Sequence, residues 1–118
     1  MTDQTATLTQ DGDVSIITLD DGKANVFSTN MSNTINSLLD SVPDDKGSLL
    51  ITGRECLFSA GFDLKTISGG DPKAALEMTQ AGFKLLCRIY NFPRPVIAAS
   101  SGHAIALGAF LLYCACLL

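Results

Sequence analysis

The sequence is poor in the side chains that most often carry chemistry or bind nucleic acids. Its 118 residues include no tryptophan, one histidine and two glutamates, and eight lysines and arginines stand against twelve acids. The net charge of −4 disfavours DNA or RNA as a partner, because phosphates attract a basic face. Only 17% of the residues are charged and 47% are hydrophobic. This balance excludes a disordered chain, and the length suits one domain.

Charge is absent from the end of the sequence, residues 95–118. Such a segment is buried in protein, buried in lipid, or part of a shortened domain. A bilayer span needs about 20 apolar residues, but a Ser-Ser-Gly-His run at 100–103 interrupts this one. A buried core is therefore favoured, and a small membrane-anchored protein remains a remote alternative. The N-terminus lacks the basic and apolar regions of a signal peptide, so we expect a cytoplasmic protein without a membrane partner.

Four cysteines occur, with none of the spacings that mark a metal site. Without a secretory signal, Cys56, Cys87, Cys114 and Cys116 are expected to be reduced, buried thiols rather than a disulfide framework. No CxxC pair and no nearby histidine completes a zinc set. We therefore expect no metal.

The hydrophobic pattern predicts strands that alternate with helices. An Asp-Gly turn at 11–12 predicts a hairpin, and Asp71 followed by Pro72 marks the start of a helix. The segment 54–65 is expected to be a loop, and 101–103 a turn. Apolar strands separated by helices pair in parallel, so the fold class is α/β. The predicted elements are strands 5–10 and 14–19, a helix from Ser28 or Thr29 to Pro43, strand 48–52, a helix from Pro72 to Pro93, strand 96–100 and a helix over about 107–116.

Two small-residue turns are the most informative features for chemistry. They lie at 59–63 and 101–109, after neighbouring parallel strands, where α/β folds bind ligands. The second leads into a helix whose first N–H groups are unpaired. Two N–H groups that converge on one oxygen make an oxyanion hole. The alternative, that both are ordinary turns, stays open on these residues alone.

Other catalytic patterns are weak. Glu55 and Glu77 are expected to be solvated. Ser101, His103 and Asp63 could form a hydrolytic triad only without the usual G-x-S-x-G elbow. Both Gly-rich phosphate-loop motifs are absent, which disfavours a nucleotide held by those means.

Three ordered blocks resemble the crotonase (enoyl-CoA hydratase/isomerase) superfamily. The run 51–65, ITGRECLFSAGFDLK, is similar to its F-[SA]-[AS]-G-x-D-[LI]-K motif, and 14–27 and 95–112 are similar to its opening strand and its P-V-I-A-A strand and turn. The resemblance implies the ClpP/crotonase spiral of β-β-α units, incomplete at the C-terminus. Residues 1–118 would then be the N-terminal part of a single domain.

The resemblance also implies an acyl-CoA substrate, with coenzyme A as part of that substrate and no separate cofactor. The thioester oxygen would accept hydrogen bonds from the backbone N–H groups of Phe62 and Leu107, which precedes Gly108. The side chains of Phe62 and Leu107 would be incidental to this role. The Ala60 carbonyl would bind the adenine amino group, and Asp63 would tie down its loop. The implied CoA- and substrate-binding positions are Lys23, Ala24, Val26, Ala60, Gly61, Asp63, Leu64 and Phe110.

Departures from the family pattern bear on the reaction. Phe110 stands where hydratases of the family carry a catalytic glutamate, so isomerase-type proton transfer is favoured over hydration. The carboxylate of isomerase-like members would lie beyond Leu118. Ala106-Leu107 replaces Gly-Gly, which makes the turn less permissive. A hydratase proper, or a catalytically silent fragment that acts only in assembly, remain alternatives. The resemblance implies a homotrimer or hexamer for the full-length form and a place in fatty acid metabolism.

Overall fold

The computed structural model describes residues 4–117 and shows an α/β fold with two sheets. The elements are β1 Ala6–Asp11, β2 Val14–Leu19, α1 Thr29–Asp40, β3 Ser48–Thr52, β4 Cys56–Ser59, α2 Leu64–Ser68, α3 Pro72–Tyr90, β5 Val96–Ala99, β6 Gly102–Ala104, α4 Leu107–Tyr113 and β7 Cys116–Leu117.

The larger sheet has five strands in the order β1-β2-β3-β5-β7. Strands β1 and β2 form the predicted antiparallel hairpin, and the remaining neighbours pair in parallel. Ile51 in the middle of β3 lies opposite Ile17 on one side and Ala98 on the other. All three side chains are buried. The predicted parallel pairing of the apolar strands is therefore confirmed.

A second, two-stranded sheet pairs β4 with β6 in parallel. The expectations of a loop at 54–65 and a turn at 101–103 are wrong here. Each of these strands is only three or four residues long, and β6 exposes Gly102 and His103. Neither carries a hydrophobic period by which a strand is recognised, so the pairing depends on the fold that brings them together. Gly102 is required for that pairing, because a Cβ there would overlap the Cys56 carbonyl group.

The long helices begin where their capping residues indicate. The Ser28 hydroxyl accepts a hydrogen bond from the Met31 N–H (3.0 Å) at the start of α1. The Asp71 carboxylate accepts from the N–H groups of Lys73 (3.1 Å) and Ala74 (3.3 Å) at the start of α3. Such caps satisfy donors that the helix leaves unpaired.

Helices α1 and α3 lie against each other and are joined by one arginine. The Arg88 guanidinium donates to the Asn36 carbonyl (3.0 Å) and pairs with the Asp40 carboxylate (2.7 Å). On the inner face of α3, Met78, Gly82, Leu85, Leu86 and Ile89 are buried. The middle of α3 lies next to the segments that follow β4 and β6, since Gly82 is close to the side chains of Phe62 and Leu107.

The last part of the chain differs from the sequence-based expectation. Helix α4 ends at Tyr113 instead of near residue 116, and β7 follows it and pairs with β5. The helix is not packed on all sides within this chain, because Phe110 and Tyr113 are 52% and 78% exposed. Among residues 4–117, no helix has both the length and the apolar character needed to cross a bilayer.

The cysteine expectation is only partly met. Cys56, Cys87 and Cys114 are free thiols, but Cys56 and Cys87 are exposed, so the prediction that they are buried is wrong. Cys114 is half-buried. The side chain of Cys116 lies outside the described part of the structure. Burial, and after it the neighbouring Cys87, raise the pKa of the Cys114 thiol.

Candidate oxyanion site and ligand cavity

The two small-residue turns lie in direct contact. Gly61 has φ +88°, and a Cβ built on it would lie 2.8 Å from the Ile105 carbonyl oxygen and 3.3 Å from the Leu107 nitrogen. The Ile105 N–H donates to the Ser59 carbonyl (2.9 Å). A residue with a side chain at 61 would meet both the unfavourable φ and this backbone. Glycine therefore allows the two turns to approach closely.

The second turn orients a free N–H at the start of α4. The Gly108 N–H donates to the Ile105 carbonyl (3.0 Å), and Ala106 between them has φ +53° and ψ −117°. This is the conformation of the first central residue of a type II′ turn, where glycine is the usual residue. Leu107 is the first residue of α4, and such a residue has no intrahelical acceptor for its N–H.

Two backbone donors are left unpaired at this junction. Neither the Phe62 N–H nor the Leu107 N–H donates a hydrogen bond to any of residues 4–117. Phe62 directly follows Gly61, whose backbone lies against the Leu107 nitrogen. The two amides that the family resemblance indicated, those of Phe62 and Leu107, therefore lie on segments that are in contact. Gly108, the third residue of that prediction, packs on Ser59, because a Cβ at 108 would lie 2.7 Å from the Ser59 carbonyl oxygen.

The side chains of the two donor residues also meet. A Cβ built on Gly82 of α3 would lie 2.6 Å from Cε1 of Phe62 and 2.9 Å from Cδ2 of Leu107. The Phe62 ring packs edge-to-face on Phe83, with 5.8 Å between ring centroids and 68° between planes. Leu107 is 1% exposed. Both side chains therefore rest on the same turn of α3.

A third segment, residues 20–27, is built around Asp21 and Asn25. The Asp21 carboxylate accepts from the N–H groups of Lys23 (2.7 Å), Asn25 (2.9 Å) and Val26 (3.1 Å). Asn25 is fully buried with φ +51°, and its amide donates to the carbonyls of Leu19 (2.9 Å) and Phe58 (3.1 Å). The sequence analysis assigned the flanking Ala24 and Val26 but missed both polar residues. The signal was present, since Asp and Asn commonly organise turns.

Ser59 joins this loop to the turn after β4. Its buried hydroxyl donates to the Asn25 carbonyl (2.6 Å) and accepts from the Gly61 N–H (3.1 Å). Alongside, the Ala60 N–H donates to the Ala24 carbonyl (3.0 Å). The two segments are thus held in register by backbone and side-chain hydrogen bonds. The Ala60 carbonyl accepts no hydrogen bond within residues 4–117.

An open cavity of about 920 Å³ lies beside this loop. It is lined by Lys23, Ala24, Val26 and Asp63 from the predicted set and by Lys65, which the sequence analysis did not select. The Asp63 carboxylate caps α2 by accepting from the Lys65 N–H (3.1 Å) and the Thr66 hydroxyl (3.1 Å). Asp63 therefore fixes the start of the helix that follows the loop.

Two predicted positions stand apart from the cavity. Leu64, on α2, is 75% exposed, and Phe110 projects from α4 with 52% of its surface exposed. Neither lines the cavity. Ala60 and Gly61 lie between the cavity and the unpaired amides, through the contacts to Ala24 and Leu107 given above. In the part of the chain described, no group of histidine, cysteine and carboxylate side chains is arranged to hold a metal ion.

Comparison with known proteins decides the family. The sequence model of the enoyl-CoA hydratase/isomerase family matches residues 9–117. The chain belongs to this family. The match confirms the resemblance seen in the three sequence blocks.

Members of the enoyl-CoA hydratase/isomerase family with solved structures share the fold. A crystal structure of an enoyl-CoA hydratase from Mycobacterium ulcerans superposes with a TM-score of 0.89 at 42% identity, over 95% of this chain and 50% of that one. A structure from Mycobacterium tuberculosis, described as an enoyl-CoA isomerase, gives 0.88 at 39% identity, over 96% and 49% of the two chains. The crotonase-like α/β fold class is confirmed.

Among curated relatives, the carnitinyl-CoA dehydratase of Escherichia coli K12 is 37% identical over 117 residues, which is 92% of this chain and 44% of that protein. The chain therefore spans about half the length of the relatives it matches.

Proposed function

We propose that this chain contributes the oxyanion hole of an acyl-CoA enzyme of the hydratase/isomerase family. The observation that carries the proposal is the pair of unpaired N–H groups, at Phe62 and Leu107, on two turns in backbone contact. Both would donate to the thioester oxygen, and the bonds would strengthen as that oxygen takes on enolate charge. Fixed donors of this kind each contribute about 3 kcal/mol of transition-state stabilisation.

The cavity beside the loop supports coenzyme A as the carrier of the acyl group. Lys23 and Lys65 line it, and neither ammonium group forms an ion pair among residues 4–117. Three carboxylates also line the cavity: Asp21 and Asp63 accept from backbone N–H groups, and Asp20 pairs with Arg54. The two lysines are thus free to bind phosphates of the ligand. The unpaired Ala60 carbonyl would accept from the adenine amino group.

The reaction we propose is isomerase-type proton transfer next to the thioester. By the resemblance of residues 95–112 to the family pattern, Phe110 would occupy the position where hydratases carry a glutamate, and its ring cannot move a proton. The proton-transferring carboxylate would come from outside residues 1–118. The activity would belong to fatty acid metabolism, with coenzyme A entering only as part of the substrate.

A comparison of two ligands tests the oxyanion hole directly. A saturated acyl-CoA presents a thioester carbonyl, and the matching alkyl-CoA thioether does not. In ¹⁵N-labelled protein, we expect the thioester to shift the Phe62 and Leu107 amide resonances downfield by more than the thioether does. Both ligands should perturb the loop around Ala24 equally. Equal shifts of both amides with the two ligands would refute the oxyanion assignment.

The role of the cavity has its own control. Lys23→Ala should lower the affinity for both ligands about tenfold, since a charge-assisted hydrogen bond to phosphate contributes about 1.5 kcal/mol. Lys46→Ala removes a lysine that lines a different cavity and should change neither affinity. Equal effects of the two substitutions would contradict phosphate binding at Lys23.

A second candidate is a silent partner that acts only in assembly. The observation that favours it is the exposure of Phe110 and Tyr113 on α4, an apolar surface that a partner chain would cover. Turnover of a 3-enoyl-CoA by the purified 118-residue protein discriminates between the two. Leu107→Pro removes the donor N–H at the first residue of α4, and Leu107→Ala keeps the N–H while it removes the same buried side chain. If Leu107→Pro abolishes turnover and Leu107→Ala only reduces it, the protein is not catalytically silent.

We also propose that residues 1–118 correspond to the N-terminal part of a single domain, and that the full-length form is a cytoplasmic homotrimer or hexamer. The exposed apolar side chains of α3 and α4 support a covered surface of this kind. Sedimentation of the full-length protein would measure its subunit number, and a monomer at micromolar concentration would contradict the proposal.

A further inference from the structure

The middle of α3 contains a glycine whose position is unusual. Gly82 is the only glycine among residues 72–90 of this helix, and it is buried. Glycine in a helix interior is less favourable than alanine, because it loses more backbone freedom on folding. A specific close approach therefore accounts for it. That approach comes from Phe62 and Leu107, the two residues whose N–H groups are unpaired.

The space above Gly82 is filled from two sides. A Cβ there would lie 2.6 Å from Cε1 and 3.0 Å from Cζ of the Phe62 ring, and 2.9 Å from Cδ2 of Leu107. Real Cβ atoms do not approach other atoms this closely, so even alanine would displace one or both side chains. Each of these side chains is attached to a proposed oxyanion donor. The contacting atoms lie at the ends of these side chains, so an alanine at 82 would turn the Phe62 ring and the Leu107 side chain away from their present positions on α3.

Phe83, the next residue of α3, holds the other side of the Phe62 ring. The two rings meet edge-to-face at 5.8 Å, a geometry that aromatic pairs favour. Phe83 is nevertheless 51% exposed, so its ring is not required to fill the core. Its described aromatic contact is with Phe62 alone.

The backbone around Phe62 is already fixed on both sides. The Gly61 carbonyl accepts from the Phe27 N–H (2.7 Å), and the Asp63 carboxylate caps α2. The remaining freedom at Phe62 is rotation of the peptide between these anchors. A ring clamped against α3 restrains that rotation, and with it the direction of the N–H.

We infer that Gly82 and Phe83 are positioning residues for the oxyanion hole. Gly82 lets the Phe62 and Leu107 side chains seat together on α3, and Phe83 holds the Phe62 ring in place. The two donor N–H groups are thereby kept at one fixed separation. This inference rests on the proposed function, and it replaces the expectation that the two side chains are incidental.

The decisive comparison uses two exposed residues on one face of α3. Phe83→Ala removes the ring against Phe62, and Leu76→Ala removes an apolar side chain two helical turns away that is equally exposed, at 56%. The readout is the extra amide shift that an acyl-CoA thioester causes over its thioether. Phe83→Ala should reduce this extra shift at Phe62 about threefold and leave the affinity for the thioether unchanged. Leu76→Ala should keep the full shift, and Phe83→Tyr, which retains the ring, should restore it.

Gly82→Ala extends the test to both donors. The extra shift should fall at Phe62 and at Leu107 together, and in the full-length enzyme kcat should fall about tenfold with KM unchanged, less than the 10²–10³-fold loss that removal of a donor causes. If this variant fails to fold, the Phe83 series decides alone. A full extra shift in Phe83→Ala, or an equal loss in Leu76→Ala, would overturn the positioning role while the proposed function stands. No extra shift in the wild-type protein would overturn the proposed function and this inference with it.

Discussion

At the scale of single residues, the site depends on buried polar groups that are fully paired. Asn25 and Ser59 are each completely buried, and together they bond to three backbone segments. Ser32 is equally buried, but its hydroxyl has no hydrogen-bond partner in the described part of the chain. A buried hydroxyl stabilises a protein only when it is paired, since otherwise its lost hydration is not replaced.

The two serines provide a matched pair of substitutions. Ser59→Ala leaves the Gly61 N–H and the Asn25 carbonyl without the partner they have now, and it should lower the free energy of unfolding by about 2 kcal/mol. Ser32→Ala removes an unpaired hydroxyl and should leave stability unchanged or raise it by up to about 1 kcal/mol. Urea denaturation followed by circular dichroism measures both. Equal losses would show that burial alone, and not pairing, decides the contribution.

At the scale of elements, short segments depart most from local preference. The long helix α3 begins at its Asp71 cap and Pro72 as its sequence indicates. The seven-residue α4 begins instead after Ala106, an N-cap residue whose side chain makes no hydrogen bond and whose φ is +53°. Such a backbone conformation costs a residue with a Cβ of the order of 1–3 kcal/mol. The turn is held by its contacts with Gly61 and Ser59, not by its own sequence.

The strain at this turn should be measurable. Ala106→Gly removes the penalty on a left-handed φ, and after the entropy that glycine adds to the unfolded chain it should raise the free energy of unfolding by about 1 kcal/mol. Ala109→Gly makes the same chemical change inside α4, at an ordinary helical residue, and should lower it by about 1 kcal/mol. Thermal denaturation of the two variants should move the midpoint in opposite directions. A fall of equal size in both would contradict strain at Ala106.

At the scale of the whole molecule, each of the two sheets pairs strands that are distant in the sequence. Strand β4 follows β3, and β6 follows β5, so the small sheet repeats the parallel order of the larger one. This arrangement carries the turn after β4 and the turn after β6 to the same place. The proposed oxyanion site would therefore depend on the pairing of Cys56 with Gly102 as much as on the turns themselves.

The junction of the two small strands allows a direct test. Gly102→Ala places a Cβ on the Cys56 carbonyl group, and because backbone cannot move aside as a side chain can, we expect a loss of about 3 kcal/mol or more. Gly22→Ala serves as the control, since a Cβ there meets no atom within 4 Å and only its φ of +76° is unfavourable. That variant should lose about 1–2 kcal/mol. Chemical denaturation compares them, and a Gly102→Ala loss no larger than the control's would contradict the packing argument.

Local signals predicted the strands of the main hairpin, the central strands and both long helices, because their periods and caps lie within a few consecutive residues. The same signals failed at 54–65, where β4 and α2 lie, and at 101–103, where β6 begins. The sequence analysis also predicted the end of α4 too late in the chain, and it wrongly predicted that Cys56 and Cys87 are buried. The errors in secondary structure fall on short segments, where tertiary neighbours outweigh intrinsic preference, and Cys87 lies on the exposed face of the long helix α3.

Sequence alone determined the family, the α/β class and the two turns that carry the unpaired amides, because motif residues such as Gly61 and Asp63 are needed where they stand. Only the tertiary structure decided that Asn25, Ser59 and Gly82 hold those turns. Their partners are far along the chain, and burial, hydrogen bonding and close approach are properties of the folded neighbourhood. The uncharged C-terminal segment illustrates both sides. Its sequence excludes solvation of the whole segment, while the fold decides that Leu107 and Leu111 are buried and that Phe110 and Tyr113 are exposed.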